Sequence, residues 1–170
     1  MLMFKDFGMD LIMAQSQDGY FAKGENDDMK WTGKRDKEVF KLITNIGNTN
    51  LLCGLNTAYN MPELKNRKVW AVRSKNAGWL VNNGHLINEI IFGQIYNKMF
   101  NNAKVIGGPT LAKAVIDAGY INYAYISVIP KKLNKGVGKE LTEILNRFQY
   151  TSIKIGELEV RKYKLKGEKI

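Results

Sequence analysis

The chain reads as an α/β protein: three layers around a mostly parallel central sheet, closed by a C-terminal antiparallel hairpin. Three observations predict it. Short apolar runs alternate with stretches whose apolar residues recur at helical spacing, the pattern of strands joined by helices. The run Lys104-Val105-Ile106 breaks at Gly107-Gly108, and Pro109 opens a helix with Leu111, Ala112, Val115 and Ile116 on one face. Two alternating runs, Phe148 to Ile155 and Leu158 to Leu165, flank Gly156-Glu157 as a hairpin. In such sheets ligands gather outside the carboxyl ends of the strands.

The elements follow in order, within a single domain spanning 1–170. Met1 to Met9 form an N-terminal extension or mobile arm ahead of the first strand, Asp10 to Ser16, which buries Leu11, Ile12 and Met13. Gln17-Asp18-Gly19 turns the chain. Tyr20 to Lys30 carries Gly24, Glu25, Asn26, Asp27 and Asp28 with no apolar period. Bounded by the large apolar Met29 and Trp31, it is a candidate lid. Asp36 to Ile46 predicts a helix with Val39, Phe40, Ile43 and Ile46 on one face. Asp36, near its start, is either a cap at the rim or a partly buried catalytic carboxyl.

Thr49 to Cys53 is a short strand, left through Gly54-Leu55-Asn56-Thr57 for a turn and a short helical piece. Pro62 and Asn66 frame a loop. Lys68 to Val72 is a strand followed by the polar Arg73-Ser74-Lys75, and Trp79 to Val81 a further one. Ile87 to Phe100 predicts a second amphipathic helix on Ile87, Ile90, Ile91, Ile95 and Met99. The helix at 110–118 ends at Ala118-Gly119, with glycine where a helix commonly stops. Tyr123 to Ile129 is a strand, Pro130 to Gly138 a basic loop, and 139–147 a helical turn or an extended segment.

Composition narrows the function classes. With one cysteine, Cys53, the chain has no internal disulfide framework, which fits a reducing compartment. With one histidine, His85, it has no His-rich metal site, and no metal is expected. No apolar run approaches the ~20 residues that span a bilayer. No secretory leader is evident, so the expected setting is the cytoplasm. The formal net charge of +10 is spread along the chain without a like-charged block. It favours small anions such as nucleotide cofactors, or else nucleic acid, although no nucleic-acid module matches by motif. The glycine pair before a helix start suits a phosphate, because unpaired N–H groups and the dipole meet there. Its alternative is a tight strand-to-helix turn with no ligand.

The order of these features resembles the dihydrofolate reductase family across residues 10–165. Leu11-Ile12-Met13-Ala14, then Asp18 and the loop into Met29-Lys30-Trp31, resemble that family's first strand and mobile loop. Asp36 stands five residues after Trp31 and Phe40 four after Asp36, the family's spacing of indole, carboxylate and pocket phenylalanine. Gly54 and Thr57 fit its next turn, Arg67 ahead of Val69-Trp70-Ala71-Val72 its arginine, and Ile106-Gly107-Gly108 its cofactor glycines. There are departures. Lys30 replaces a proline, Leu55 stands where a basic residue is common, and no aspartate-threonine segment appears in 134–138. Ser16-Gln17-Asp18-Gly19, Asn60-Met61-Pro62-Glu63-Leu64 and Gly108-Pro109-Thr110-Leu111-Ala112 look more like the sister pyrimidine reductases of riboflavin synthesis.

The resemblance implies NADPH-dependent reduction of dihydrofolate, with reduction of a phosphoribosylamino-pyrimidine as the alternative. A basic nucleic-acid-binding protein is a more distant one. It implies a catalytic set of Asp36, Trp31 and Met29. Substrate contacts would be Ile12, Ala14, Asp36, Phe40, Arg67, Ile106 and Ser127. Ala14, Gly54, Thr57, Arg73, Ser74, Lys75, Ile106, Gly107, Gly108, Thr110 and Leu111 would contact the cofactor. Apolar surroundings would raise the Asp36 pKa. The expected partners are a small-molecule substrate with neither membrane nor nucleic acid, and the chain would be a monomer or homodimer.

Overall fold

A computed structural model describes residues 7–24, 27–47, 50–60, 68–73, 80–82 and 85–166. The central strand is β1, Met9–Ser16, buried almost along its whole length. A strand covered on both faces must be apolar on both, and Leu11-Ile12-Met13-Ala14 meets that demand without alternation. β1 pairs in parallel with β6 (Lys104–Val105) on one side and with β7 (Ile121–Ile129) on the other. Beyond β6 lie β2 (Leu51–Cys53), β3 (Val69–Arg73) and β5 (His85–Ile91), each parallel to the strand before it in that order. Antiparallel strands close both ends. β4 (Leu80–Asn82) pairs with β5, while β9 (Leu158–Lys164) and β8 (Tyr150–Ile155) extend from β7. The sheet order is β4-β5-β3-β2-β6-β1-β7-β9-β8.

The layers follow from alternation along the strands. Met9, Leu11 and Met13 of β1 join one core with Leu111, Ala112 and Val115 of α3 (Pro109–Asp117) and Leu141 and Leu145 of α4 (Lys139–Leu145). On the other face Ala14 packs with Trp31 and with Val39 of α1 (Gly33–Thr44), while Ala58 of α2 (Leu55–Asn60) packs on Leu51, Cys53 and Ala71. The three-layer, mostly parallel sheet with its closing hairpin is therefore the observed architecture. β1 starts one residue before the expected strand, with Met9 fully buried and Phe7 edge-on to Tyr96 and Tyr120. The segment 139–147, open between turn and strand, supplies helix α4. Among the described residues no helix is long and apolar enough to cross a membrane.

One expected element is corrected. Ile87 to Phe100 is not an amphipathic helix: it is strand β5 followed by 3-10 turns at Phe92–Gln94 and Lys98–Phe100. Isoleucine is branched at Cβ, which disfavours helix and suits a pleated sheet. β5 is paired on both sides, with β3 and with β4, so its backbone groups have sheet partners. Ile95 is fully buried in the segment after the first turn.

Candidate active site

The carboxyl ends of β1, β2, β3 and β6 open together on a cleft of about 1360 Å³. That exceeds the ~300–1,000 Å³ of a site for one drug-sized ligand. There is room for two ligands side by side.

α1 delivers the acid. The chain enters it through a 3-10 turn, Lys30–Thr32, whose tryptophan is buried under the sheet. Asp36 lies in the first turn of α1, while Thr32 is the residue at the N-cap and makes no side-chain cap bond there. It is 8% exposed and lines the cleft with Ile12, Ala14, Phe40 and Ser127. Burial pushes its pKa above the usual carboxylate value; hydroxyls of Thr32 and Ser127 and the charge of Lys37 oppose that rise without cancelling it. Ser127 reaches Asp36 because β7 sets it beside Ala14 of β1. Thr32 Oγ1 also lies 3.0 Å from the Met29 carbonyl, so its single proton serves one acceptor at a time. A protonated Asp36 can donate to that hydroxyl while Thr32 donates to Met29.

The loop after β1 frames the cleft through Phe21, Asp27 and Met29. Phe21 is fully buried, lines the cleft and is fixed by Phe21 N–H to Val137 (2.8 Å) and Val137 N–H to Ala22 (2.9 Å). Asp27 also lines it, its carboxylate accepting from Lys23 N (2.6 Å), Met29 N (2.8 Å) and Trp31 Nε1 (2.8 Å). The bond to Met29, two residues on, is the asparagine/aspartate turn that could have flagged Asp27 in the sequence. Met29 lines the cleft in the left-handed conformation, φ 61°. Trp31 is buried and bound to Asp27, and it is not among the cleft-lining residues. Tyr125, Thr32, Lys37 and Phe92 line the cleft and carried no sequence signal of their own.

The strand-to-helix junction supplies a second zone. Gly107 and Gly108 connect β6 to α3, where Pro109 begins the helix as its spacing predicted. Gly107 has φ +143°, a region side chains disfavour. A Cβ there would stand 3.0 Å from Thr57 Oγ1, and one on Gly54 would stand 3.4 Å from Gly108 N. Gly54 N–H donates to the Gly107 carbonyl at 2.7 Å, which binds the two turns together. Gly54, Thr57, Ile106, Gly107, Gly108, Thr110 and Leu111 all line the cleft. Arg73, ending β3, lines it too and is ion-paired with Glu89 of β5. Arg67, Ser74 and Lys75 lie outside the described residues.

No family model matches the chain, and no curated protein matches it in sequence. Solved structures match it in fold. A putative riboflavin biosynthesis protein from Shewanella sp. PV-4 superposes with TM-score 0.65 at 17% identity, covering 92% of this chain and 98% of that one. Dihydrofolate reductase from Enterococcus faecalis, complexed with NADP(H) and RAB-propyl, gives 0.66 at 18% identity, covering 96% and 98%. A diaminohydroxyphosphoribosylaminopyrimidine deaminase/5-amino-6-(5-phosphoribosylamino)uracil reductase from Thermotoga maritima gives 0.67 at 13% identity, covering 94% of this chain and 57% of that one. The chain thus has the dihydrofolate reductase-like fold that these proteins share.

Proposed function

We propose that the chain is an NADPH-dependent reductase that converts 7,8-dihydrofolate to tetrahydrofolate. One observation carries the reading: a buried carboxyl, Asp36, opens into the same cleft as the glycine cradle at the start of α3. The likeness in fold to a reductase solved with NADP(H) supports it.

The cradle fits a dinucleotide. Side chains at Gly54 or Gly107 would fill it, and the first turn of α3 adds N–H groups and a positive dipole end. Gly107, Gly108 and Thr110 would hold the pyrophosphate, Thr57 would face it, and Arg73 would take the 2′-phosphate. When bound, NADPH supplies the hydride. The protein's own task is to orient two rings and manage one proton.

Asp36 orients the substrate ring by accepting from its amino group and adjacent ring N–H. Its raised pKa brings the carboxyl nearer to neutral pH, where an acid both gives and regains a proton efficiently. Backbone carbonyls of Ile12 and Ile106 would take the ring's other amino proton, and Ala14 leaves space beside the ring. Phe40, Met29 and Phe21 wall the pocket with apolar surface. Lys37 and Lys41 line the cleft one turn apart on α1 and offer positive charge to an acidic tail.

The same lysines suit a phosphate, which keeps the pyrimidine reductase of riboflavin synthesis as the second reading. Consumption of NADPH with dihydrofolate, set beside the phosphoribosylamino-pyrimidine, separates the two. Turnover of dihydrofolate is the expected result. Turnover of the pyrimidine alone would replace the substrate, and turnover of neither would overturn the reductase reading.

A further inference from the structure

Glu89 is a buried acid to which the cleft chemistry gives no role. Its side chain is 1% exposed, and Oε1 accepts Arg73 Nε at 2.9 Å. β3 and β5 run parallel, with Ala71 opposite Glu89 and Arg73 opposite Ile91, so the pair bridges both strands where they leave the sheet. Arg73 is 30% exposed and lines the cleft beside Phe92 and Gly93, the residues that follow β5. A buried carboxylate persists when a charge pairs with it, so Glu89 gives Arg73 a fixed anchor. A guanidinium is a rigid planar fork with five donors, and the bond to Glu89 uses Nε. The donors on Nη1 and Nη2 stay available to a second anion.

We propose that Glu89 is a positioning residue for cofactor choice, turning the Nη edge of Arg73 toward the phosphate monoester that distinguishes NADPH from NADH. The proposal rests on the reductase reading above. An acid at a strand end can instead accept from ribose hydroxyls and favour the cofactor without that phosphate. Glu89 is too deeply covered for that role: Arg73 stands between it and the cleft.

The test is the dissociation constant of NADPH and of NADH, followed by tryptophan fluorescence, with no turnover required. Arg73→Gln should weaken NADPH by about 10- to 100-fold, the scale of a charged hydrogen bond, and leave NADH within about twofold. Glu89→Gln should weaken NADPH by about 3- to 10-fold with NADH unchanged, and the double variant should lose no more than Arg73→Gln. If Glu89→Gln fails to fold, Glu89→Asp keeps the charge and shortens its reach, and the NADPH preference should still fall. An unchanged NADPH/NADH ratio in the folded Glu89 variants overturns the proposal, as does a selective loss of NADH. Binding of neither dinucleotide by the natural chain overturns the reductase reading itself.

Discussion

Asp36 and Asp18 are carboxylates near the carboxyl end of β1, and their surroundings drive them in opposite directions. Asp18 follows the strand and clamps two loops. Its oxygens accept from Ser16 Oγ (2.7 Å), Leu133 N (3.0 Å) and Asn134 N (2.8 Å). Those donors, the Ser16 hydroxyl foremost, lower its pKa to about 2. Asp36 is buried on α1 where the helix faces the cleft, with hydroxyls for company, and desolvation wins over them, so its pKa rises. Saturating, directional donors make a carboxylate a permanent anion and a structural fastener. Burial with few donors makes it an acid that can hold a proton. The two regions differ in solvation and hydrogen bonding more than in position along the chain.

The largest effect that sharpens this contrast is on Asp36→Asn. Turnover should fall by roughly 10²–10⁴, the scale of general acid–base assistance. Stability should move the other way. A folded-state pKa raised above the unfolded value means that stability is fully present below the unfolded pKa and is lost as pH rises through the folded one. Replacing Asp36 by a neutral amide removes that loss, so Tm should rise at neutral pH and change little in acid. A thermal scan at both pH values reads this out, and a lower Tm at neutral pH would make Asp36 a structural residue after all.

Asp18→Ala should reverse the pattern at smaller scale. Tm should drop by a few degrees at neutral pH, and turnover should change far less than in Asp36→Asn. The depressed pKa gives a contribution that is present above the unfolded value and is lost as pH falls through about 2. The Tm gap between natural chain and variant should therefore close in strong acid. A gap that persists there would mean that the clamp does not depend on its charge.

Ser127→Ala gives the smallest effect. It removes a donor that opposes the rise at Asp36, so the alkaline limb of the pH–rate profile, where the acid loses its proton, should move upward. Turnover at neutral pH should change by about 2- to 12-fold, the worth of one hydrogen bond of about 0.5–1.5 kcal/mol. An unmoved limb would detach Ser127 from the acid.

How far the sequence reveals these differences depends on the range of the interaction. Trp31, Asp36 and Phe40 are fixed by local spacing on one turn and one helix, and Asp36 and Phe40 line the cleft. The glycine pair and Pro109 are equally local, and both were legible. The isoleucines of β5 stand at helical spacing and also suit a sheet, and only pairing with β3 and β4 decides between them. The Arg73–Glu89 pair spans two strands and left no trace in the pattern. Asp27 looked like one more polar loop residue. Its role depends on the Trp31 indole and on turn geometry, which composition does not encode. Asp18 was legible as part of a turn, while its partners Leu133 and Asn134 come from a distant loop.

The most direct test of the claim that Asp36 is the site's proton-holding acid is to titrate the side-chain carboxyl carbons by NMR, assigning Asp36 and Asp18 from their Asn variants. Asp36 should titrate above the ordinary aspartate value of 3.8 and Asp18 near 2 in the same sample. An Asp36 that titrates at or below 3.8 would contradict that claim, whatever the turnover of its variants.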